Sequence, residues 1–436
     1  MSPSSLRTPG LRVLLPLTVA TAALATGVAA QEYAREVESL LAQTPVRAAM
    51  DHIAETDEQT IRDLIELTQI PAPPFLEQVR GERFAEMLEE IGIDSVFTDQ
   101  EGNVIGIRRG RNPEAGVLAL SGHLDTVFPE GTDVQVRIVG DTLFAPGVAD
   151  DTRGLATILA VLRAMNAADM ETEQDVLFIG TVGEEGLGDL RGVKQLFRDG
   201  GPRIDAFISV DGTGSDGITS MGLGSHRYRV TYRGPGGHSW GAFGLANPAH
   251  AMGRAIHYFD EAGDEHTADG PRTSYNVGRI GGGTSVNSVP FEAWMEIDMR
   301  SESPESLNEI DAKLQEALQR ALAEANAVRR RGEELTLDVE MIGDRPSGAS
   351  DAEDPFIQRA IAATEALGHD PSLRRSSTDS NVPISLGIPA ITIGGGGIGV
   401  GAHALHEYYV NEDGPAGIQR VLLIVLAQAG LAGPVS

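Results

Sequence analysis

The chain has no cysteine in 436 residues. In an oxidising compartment that excludes a disulfide framework, and it excludes a lipid anchor on cysteine everywhere, so stability has to come from an apolar core and any bound metal. Positive charge is also scarce. Lysine and arginine total 34 against 63 aspartates and glutamates, a formal net charge of −29, and only Lys194 and Lys313 are lysines. Such a surface repels nucleic acid and anionic membranes, which argues against both as partners. Long apolar runs are missing too: after residue 30 no segment reaches the roughly 20 apolar residues that span a bilayer.

What is present is 41% hydrophobic residues, ample for a sizeable core, over a length that suggests two domains. Residues 1–30 read as a cleavable signal peptide. Arg7 and Arg12 precede the apolar run Val13 to Val28, and Val28-Ala29-Ala30 offers small residues before Gln31. The expected product is periplasmic or secreted, with no stable membrane association once the signal is removed.

Along the mature chain, Glu32 to Leu67 has helical spacing that Pro71 to Pro74 break. Arg80 to Ile91 is amphipathic, and Ser95 to Arg108 alternates as a hairpin about Glu101-Gly102-Asn103. A buried strand, Gly116 to Leu120, then runs into SGHLDTV, where His123 and Asp125 stand at i and i+2 and face the same way in extended chain. The Gly-rich turn of LFAPGVADDTRGLA sets Asp150 and Asp151 before a helix from Gly154 to Ala167. A second apolar run, Val176 to Ile179, delivers Glu184 and Glu185 on a glycine-flanked turn, and a third, Ile204 to Val210, ends at Asp211.

Each signal alone has a plain reading: a structural histidine, a helix cap, a solvated turn. Together they are four strands that end on acid or imidazole groups, and strand ends are where α/β sheets keep their chemistry. Adjacent carboxylates repel, so such pairs call for a cation or a shared proton. Imidazole and carboxylate donors without thiolate favour Zn²⁺, with Co²⁺ or Mn²⁺ tolerable.

From Arg227 the texture changes. RYRVTYRG, the helix Asn247 to Ala262, the strands TSYNVGRI and FEAWMEIDMR, the helix Pro304 to Ala327 and LTLDVEMI spell β-α-β-β-α-β, a ferredoxin-like pattern. The reading is therefore an α/β catalytic domain, a mixed sheet flanked by helices, in two parts (31–222 and 345–436), with an inserted α+β domain at 223–344. After it come the helix Pro355 to Leu367, the strand Ile388 to Ile393 running into GGGG, His403, and a closing helix from Pro415 to Ala429.

GHLDTV, GVADD, GEEG, the inserted domain and the final histidine, in this order, resemble the M20 family of metallopeptidases, dinuclear zinc exopeptidases that include peptidase T, carboxypeptidase G and succinyl-diaminopimelate desuccinylase. The resemblance implies two Zn²⁺ ions. His123 would be a ligand of one and His403 of the other, with Asp150 bridging, Glu185 completing one site and Asp211 the other. Glu184 would be the general base and Asp125 would orient His123 from behind. The Asp150–Asp151 peptide bond is expected to be cis. His403 is preferred to His406 because Glu407 follows it by four.

The resemblance also implies that the inserted domain is a lid and dimerisation module. GPGGHSWG places His238 in the family's lid motif, where the histidine reaches an active site, often the partner's. Asn287 in SVNSVP and Arg300 in IDMR lie where the family contacts substrate, and Arg375 in RSSTDSN matches a peptidase T-like carboxylate site. A homodimer is expected through the edge of Arg227 to Gly234 or the helix Asn247 to Ala262. Two departures stand out: Thr152-Arg153 follows the paired aspartates where many relatives have lysine, and RSSTDSN has serines in place of glycines. The expected activity is hydrolysis of amide bonds in short peptides, of aminopeptidase or di/tripeptidase type. The alternatives are a carboxypeptidase or N-acyl-amino-acid amidohydrolase and, more remotely, a non-catalytic binding protein.

Overall fold

The computed structural model describes residues 31–433. The expected signal peptide lies outside them. Its core is one mixed sheet in which Val117–His123 runs parallel to Asp175–Thr181 on one side and to Ala206–Val210 on the other, and Ala390–Ile393 continues the parallel set. These strands are near-continuous apolar runs because helices cover both faces of the sheet. The expected hairpin forms as Ser95–Thr98 and Val104–Arg108 and extends the sheet antiparallel beyond Asp175–Thr181. Gly217–Gly222, Gly348–Ala349 and Ser372–Ser376 complete the other end.

The helix Thr152–Ala167 is buried along nearly its whole length and packs with Thr44–Glu55, Pro355–Ala366 and Gly414–Ala429 in the largest apolar cluster. Gly154 in its first turn approaches the strand Ala206–Val210 so closely that a Cβ would lie 2.1 Å from the Val210 carbonyl oxygen. Only glycine allows this approach, which brings the helix N-terminus against the carboxyl ends of the parallel strands.

Residues 224–345 form their own four-stranded antiparallel sheet, ordered Thr273–Gly282, Glu292–Ser301, Gly224–Arg233, Thr336–Arg345. The helices Pro248–Thr267 and Pro304–Ala327 cover one face, and Tyr228, Val230, Tyr232, Met295, Ile297 and Met299 fill the core between them. Both helices begin as the sequence suggests, with the capping side chains of Asn247 and Ser303 each followed by proline. One expectation needs correction. Gly224–Arg233 pairs on both sides and offers no edge. The free edges are Thr273–Gly282 and Thr336–Arg345, because the long crossover of a β-α-β-β-α-β unit puts its first strand in the middle.

A second four-stranded sheet, which the sequence reading did not anticipate, joins Arg137–Val139, Thr142–Phe144, Tyr408–Val410 and Ile398–Val400. It ties the chain before Asp150 to the chain around His403, and so brings two distant segments to one place.

Candidate active site

The side chains His123, Asp150, Glu184, Glu185 and Asp211 all come from the carboxyl ends of the parallel strands, or from the turn facing them. Asp150 is the centre. His123 Nε2 lies 3.0 Å from its Oδ1, and His403 Nε2 lies 3.1 Å from its Oδ2. His403 Nε2 is also 2.9 Å from Glu185 Oε1. His403 adopts the left-handed conformation, φ 67°, which turns its ring out of its loop and into this group. His123, Asp150 and Glu185 offer ligand atoms within 4.8 Å of one another. Asp211 lines the same cavity of about 590 Å³.

Burial opposes a charge on His123, yet Asp125 and Asp150 outweigh it and hold the imidazole well above its usual range. Hydrogen bonds to Asp150 and Glu185 push His403 up to about 10. Burial likewise opposes ionisation of Asp150, but the two histidines pull its carboxyl well down. Burial drives Asp211 well above the carboxylate range. Each histidine thus holds a proton where the carboxylates call for positive charge, and divalent cations bound by nitrogen and oxygen would supply that charge at both points.

The support around the ligands is dense. Asp125 takes the Glu184 N–H on one carboxylate oxygen (3.0 Å) and the Glu185 N–H on the other (2.8 Å). His123 Nδ1 is held instead by the Asp125 backbone carbonyl at 3.0 Å, with the carboxylate farther off at 3.6 Å. One aspartate therefore orients His123 and fixes the paired glutamates. Asp151 accepts from the N–H groups of His123, Gly154 and Gly212. The bond between Asp150 and Asp151 is cis. Glu407, buried, accepts from Gly147, Ala149 and Asp150 N–H at 2.8, 2.8 and 3.0 Å, and so holds the Asp150 turn. His406 is exposed.

Residues 119–427 match the model of peptidase family M20/M25/M40. The chain belongs to peptidase family M20. Succinyl-diaminopimelate desuccinylase of Methylibium petroleiphilum is 30% identical over 286 residues, which cover 61% of this chain and 67% of that protein. Cytosol non-specific dipeptidase of Escherichia coli is 24% identical over 371 residues, 77% of this chain and 72% of its own. Aminopeptidase PepT from Bacillus cereus superposes with a TM-score of 0.68 at 23% identity, over 85% of this chain and 98% of its own, a likeness of fold. The M20 chain is accordingly a hydrolytic metalloenzyme with the mixed α/β architecture expected of it.

Charged residues in and beside the M20 cavity escaped the sequence reading. Arg345, the last residue of the inserted sheet, places Nη1 3.1 Å from Glu184 Oε1 and 3.2 Å from Ser377 Oγ, and its Nη2 donates to the Glu184 carbonyl. Burial nevertheless pushes the Glu184 carboxyl up to about 8, against the pull of Arg345 and His123. Arg227, opposite Asp298, also lines the cavity. Asp379, buried, accepts from Thr181 Oγ1 at 2.6 Å, and burial raises it to about 6. A basic residue ending a strand carries no signal until the fold shows what it faces.

The expected substrate contacts divide. Arg300 lines the cavity and pairs with Asp298 at 2.8 Å. Arg375 turns Nη1 to the backbone carbonyls of Gly222 and Glu302, bracing the junction with the inserted unit, and does not line the cavity. His238 and Asn287 are exposed and close together at the far end of that unit, where His238 pairs with Ser288 and the Ser239 N–H donates to the Asn287 carbonyl. Arg153, the departure noted after the paired aspartates, is fully buried and donates to the Gly395 and Gly414 carbonyls.

Proposed function

We propose that this protein is an exported dinuclear zinc hydrolase of amide bonds in short peptides, an aminopeptidase or di/tripeptidase of peptidase T-like type. The observation that carries the reading is Asp150 between two histidines, one carboxylate oxygen facing each. His123, Asp150 and Asp211 would hold one ion, and His403, Asp150 and Glu185 the other. Two such ions lower the pKa of a shared water and polarise the scissile carbonyl when bound. Glu184, free of the ligand set, takes the proton at its carboxylate and delivers it to the leaving amine. Its raised pKa suits that exchange near neutral pH. Arg345 and Asp125 fix the side chain and backbone of Glu184, and a cavity of about 590 Å³ suits a short substrate.

The 30% identity to a desuccinylase favours one second reading, an N-acyl-amino-acid amidohydrolase or carboxypeptidase on the same scaffold. Assaying a tripeptide blocked at the N-terminus against one blocked at the C-terminus separates the two. The first reading expects cleavage of the C-blocked peptide, abolished by chelator and restored by Zn²⁺; turnover of the N-blocked peptide alone overturns it. Glu184→Gln is expected to keep its metal and lose about 10²- to 10⁴-fold in kcat.

Two further parts of the reading have their own measurements. A mature N-terminus at Gln31 in periplasmic or culture fractions is expected from the signal. A homodimer through the inserted unit, by the free edge Thr273–Gly282 or the helix Pro248–Thr267, would carry His238 towards the partner's site. Sedimentation showing only monomer at micromolar concentration overturns it.

A further inference from the structure

The side of the cavity opposite the metal ligands is built from the open face of the inserted sheet. There Arg227 and Asp298 are directly opposed across paired strands, and Arg300 follows Asp298 at i+2 on the same face. Asp298 binds both arginines through Nε, taking Arg227 on Oδ1 at 2.9 Å and Arg300 on Oδ2 at 2.8 Å. Burial opposes its ionisation, but the two guanidinium groups hold its carboxyl below the usual range. Arg227 Nη1 reaches across to the carbonyl of Gly186, beside the paired glutamates, at 3.0 Å. Among the described residues no acceptor meets Nη2 of Arg227 or either Nη of Arg300.

The charges do not cancel. Arg345 is matched by Glu184, and the two divalent cations of the proposed centre would carry four positive charges against the three carboxylates of Asp150, Glu185 and Asp211. Two guanidinium groups then share the single carboxylate of Asp298, which leaves one positive charge over, in a protein whose net charge is −29. Because Asp298 occupies both Nε positions, the outer nitrogens of each fork remain for a ligand, and forks of that kind suit carboxylates.

We infer that Arg227 and Arg300, splayed on Asp298, form a two-armed receptor for a residue bearing two carboxylates, so that the enzyme prefers short peptides ending in an acidic amino acid. Arg300 takes the terminal carboxylate and Arg227 the side-chain carboxylate; Arg227 is the specificity-determining residue. This inference rests on the amide-hydrolase reading above.

The test uses the full metal-loaded enzyme with Ala-Glu and its near-isostere Ala-Gln, together with calorimetric binding of free glutamate and glutamine. The wild type is expected to favour Ala-Glu in kcat/KM by about tenfold or more, mainly through KM, and to bind glutamate more tightly than glutamine by a similar factor. Arg227→Gln is expected to bring both ratios close to one, and Arg227→Lys to restore part of each. Equal handling of the pairs by the wild type, or ratios that survive Arg227→Gln, overturns the inference while leaving hydrolysis intact. Selective glutamate binding without hydrolysis of either dipeptide supports the receptor and instead overturns the hydrolase reading.

Discussion

Arg345 is joined to Glu184 twice, to a carboxylate oxygen at 3.1 Å and to the backbone carbonyl, with both side chains almost fully buried. The arginine belongs to the inserted sheet and the glutamate to the catalytic one, so the proposed base is tuned from the neighbouring unit.

Removing that arginine while keeping its bulk isolates the effect. Arg345→Met takes a positive charge from a buried carboxyl already raised to about 8. The acidic limb of kcat/KM against pH is expected to move up by at least about one unit, equivalent to ~1.4 kcal/mol. A pH-rate profile checks it, and an unmoved limb would assign the limb to another group.

Metal-free protein should lose stability as pH rises. Glu184 has its folded pKa lifted from 4.5 to about 8, and His403 from 6.5 to about 10. A raised folded pKa means the native state holds a proton that the unfolded chain releases. The stabilisation is complete below the unfolded value and disappears as pH passes the folded one. Asp125 and Asp150, whose carboxyls are lowered, act in the opposite sense only at acid pH below their ordinary 3.8. Tm of the chelated protein should therefore fall between about pH 5 and 10, whereas cations replacing those protons should flatten the slope. Thermal melts with and without Zn²⁺ decide it.

Glu407 touches no proposed ligand side chain, yet its two oxygens hold three N–H groups of the turn that carries Asp150. Glu407→Gln presents an NH₂ where an acceptor is needed. Metal affinity is expected to weaken by about 10- to 100-fold, the usual cost of losing such support. Competition with a chelator of known affinity measures it.

Asp125→Asn meets the same obstacle, since one of the N–H groups of Glu184 and Glu185 loses its carboxylate acceptor. Its effect should appear in kcat more than in KM, because Glu184 moves while the cavity wall does not. About 10²-fold is expected, the cost of a misplaced catalytic group. Steady-state kinetics with saturating Zn²⁺ show whether KM moves instead.

The grouping of His123, Asp150 and Glu185 was legible because acids and imidazoles stood at the ends of apolar runs, a pattern that depends on neighbours along the chain. The βαββαβ unit was legible for the same reason, down to the helix Pro304–Ala327. Pairing between distant segments was not. The small sheet that joins Thr142–Phe144 to Tyr408–Val410 consists of three-residue strands, too short to show a period. Arg345 fell just past the strand read as LTLDVEMI and Arg227 stood in an alternating strand, and only the packing of one sheet against another shows that they face the cavity. Arg375 sat in a recognisable motif, but its guanidinium is engaged by backbone carbonyls.

The inserted unit is entered through Gly224–Arg233 and left through Thr336–Arg345, and these strands pair with Ser225 opposite Arg345. Its two ends are therefore neighbours, and the catalytic sheet resumes within a few residues at Gly348–Ala349, beside Gly217–Gly222. A relative's module could be spliced in at this one seam without rethreading the hydrolytic sheet. Arg227, Asp298, Arg300 and Arg345 would leave together, while the histidines and carboxylates around Asp150 would stay. An exchanged module would therefore have to bring its own partner for Glu184 in place of Arg345, so the two units are joined in inheritance at that one ion pair.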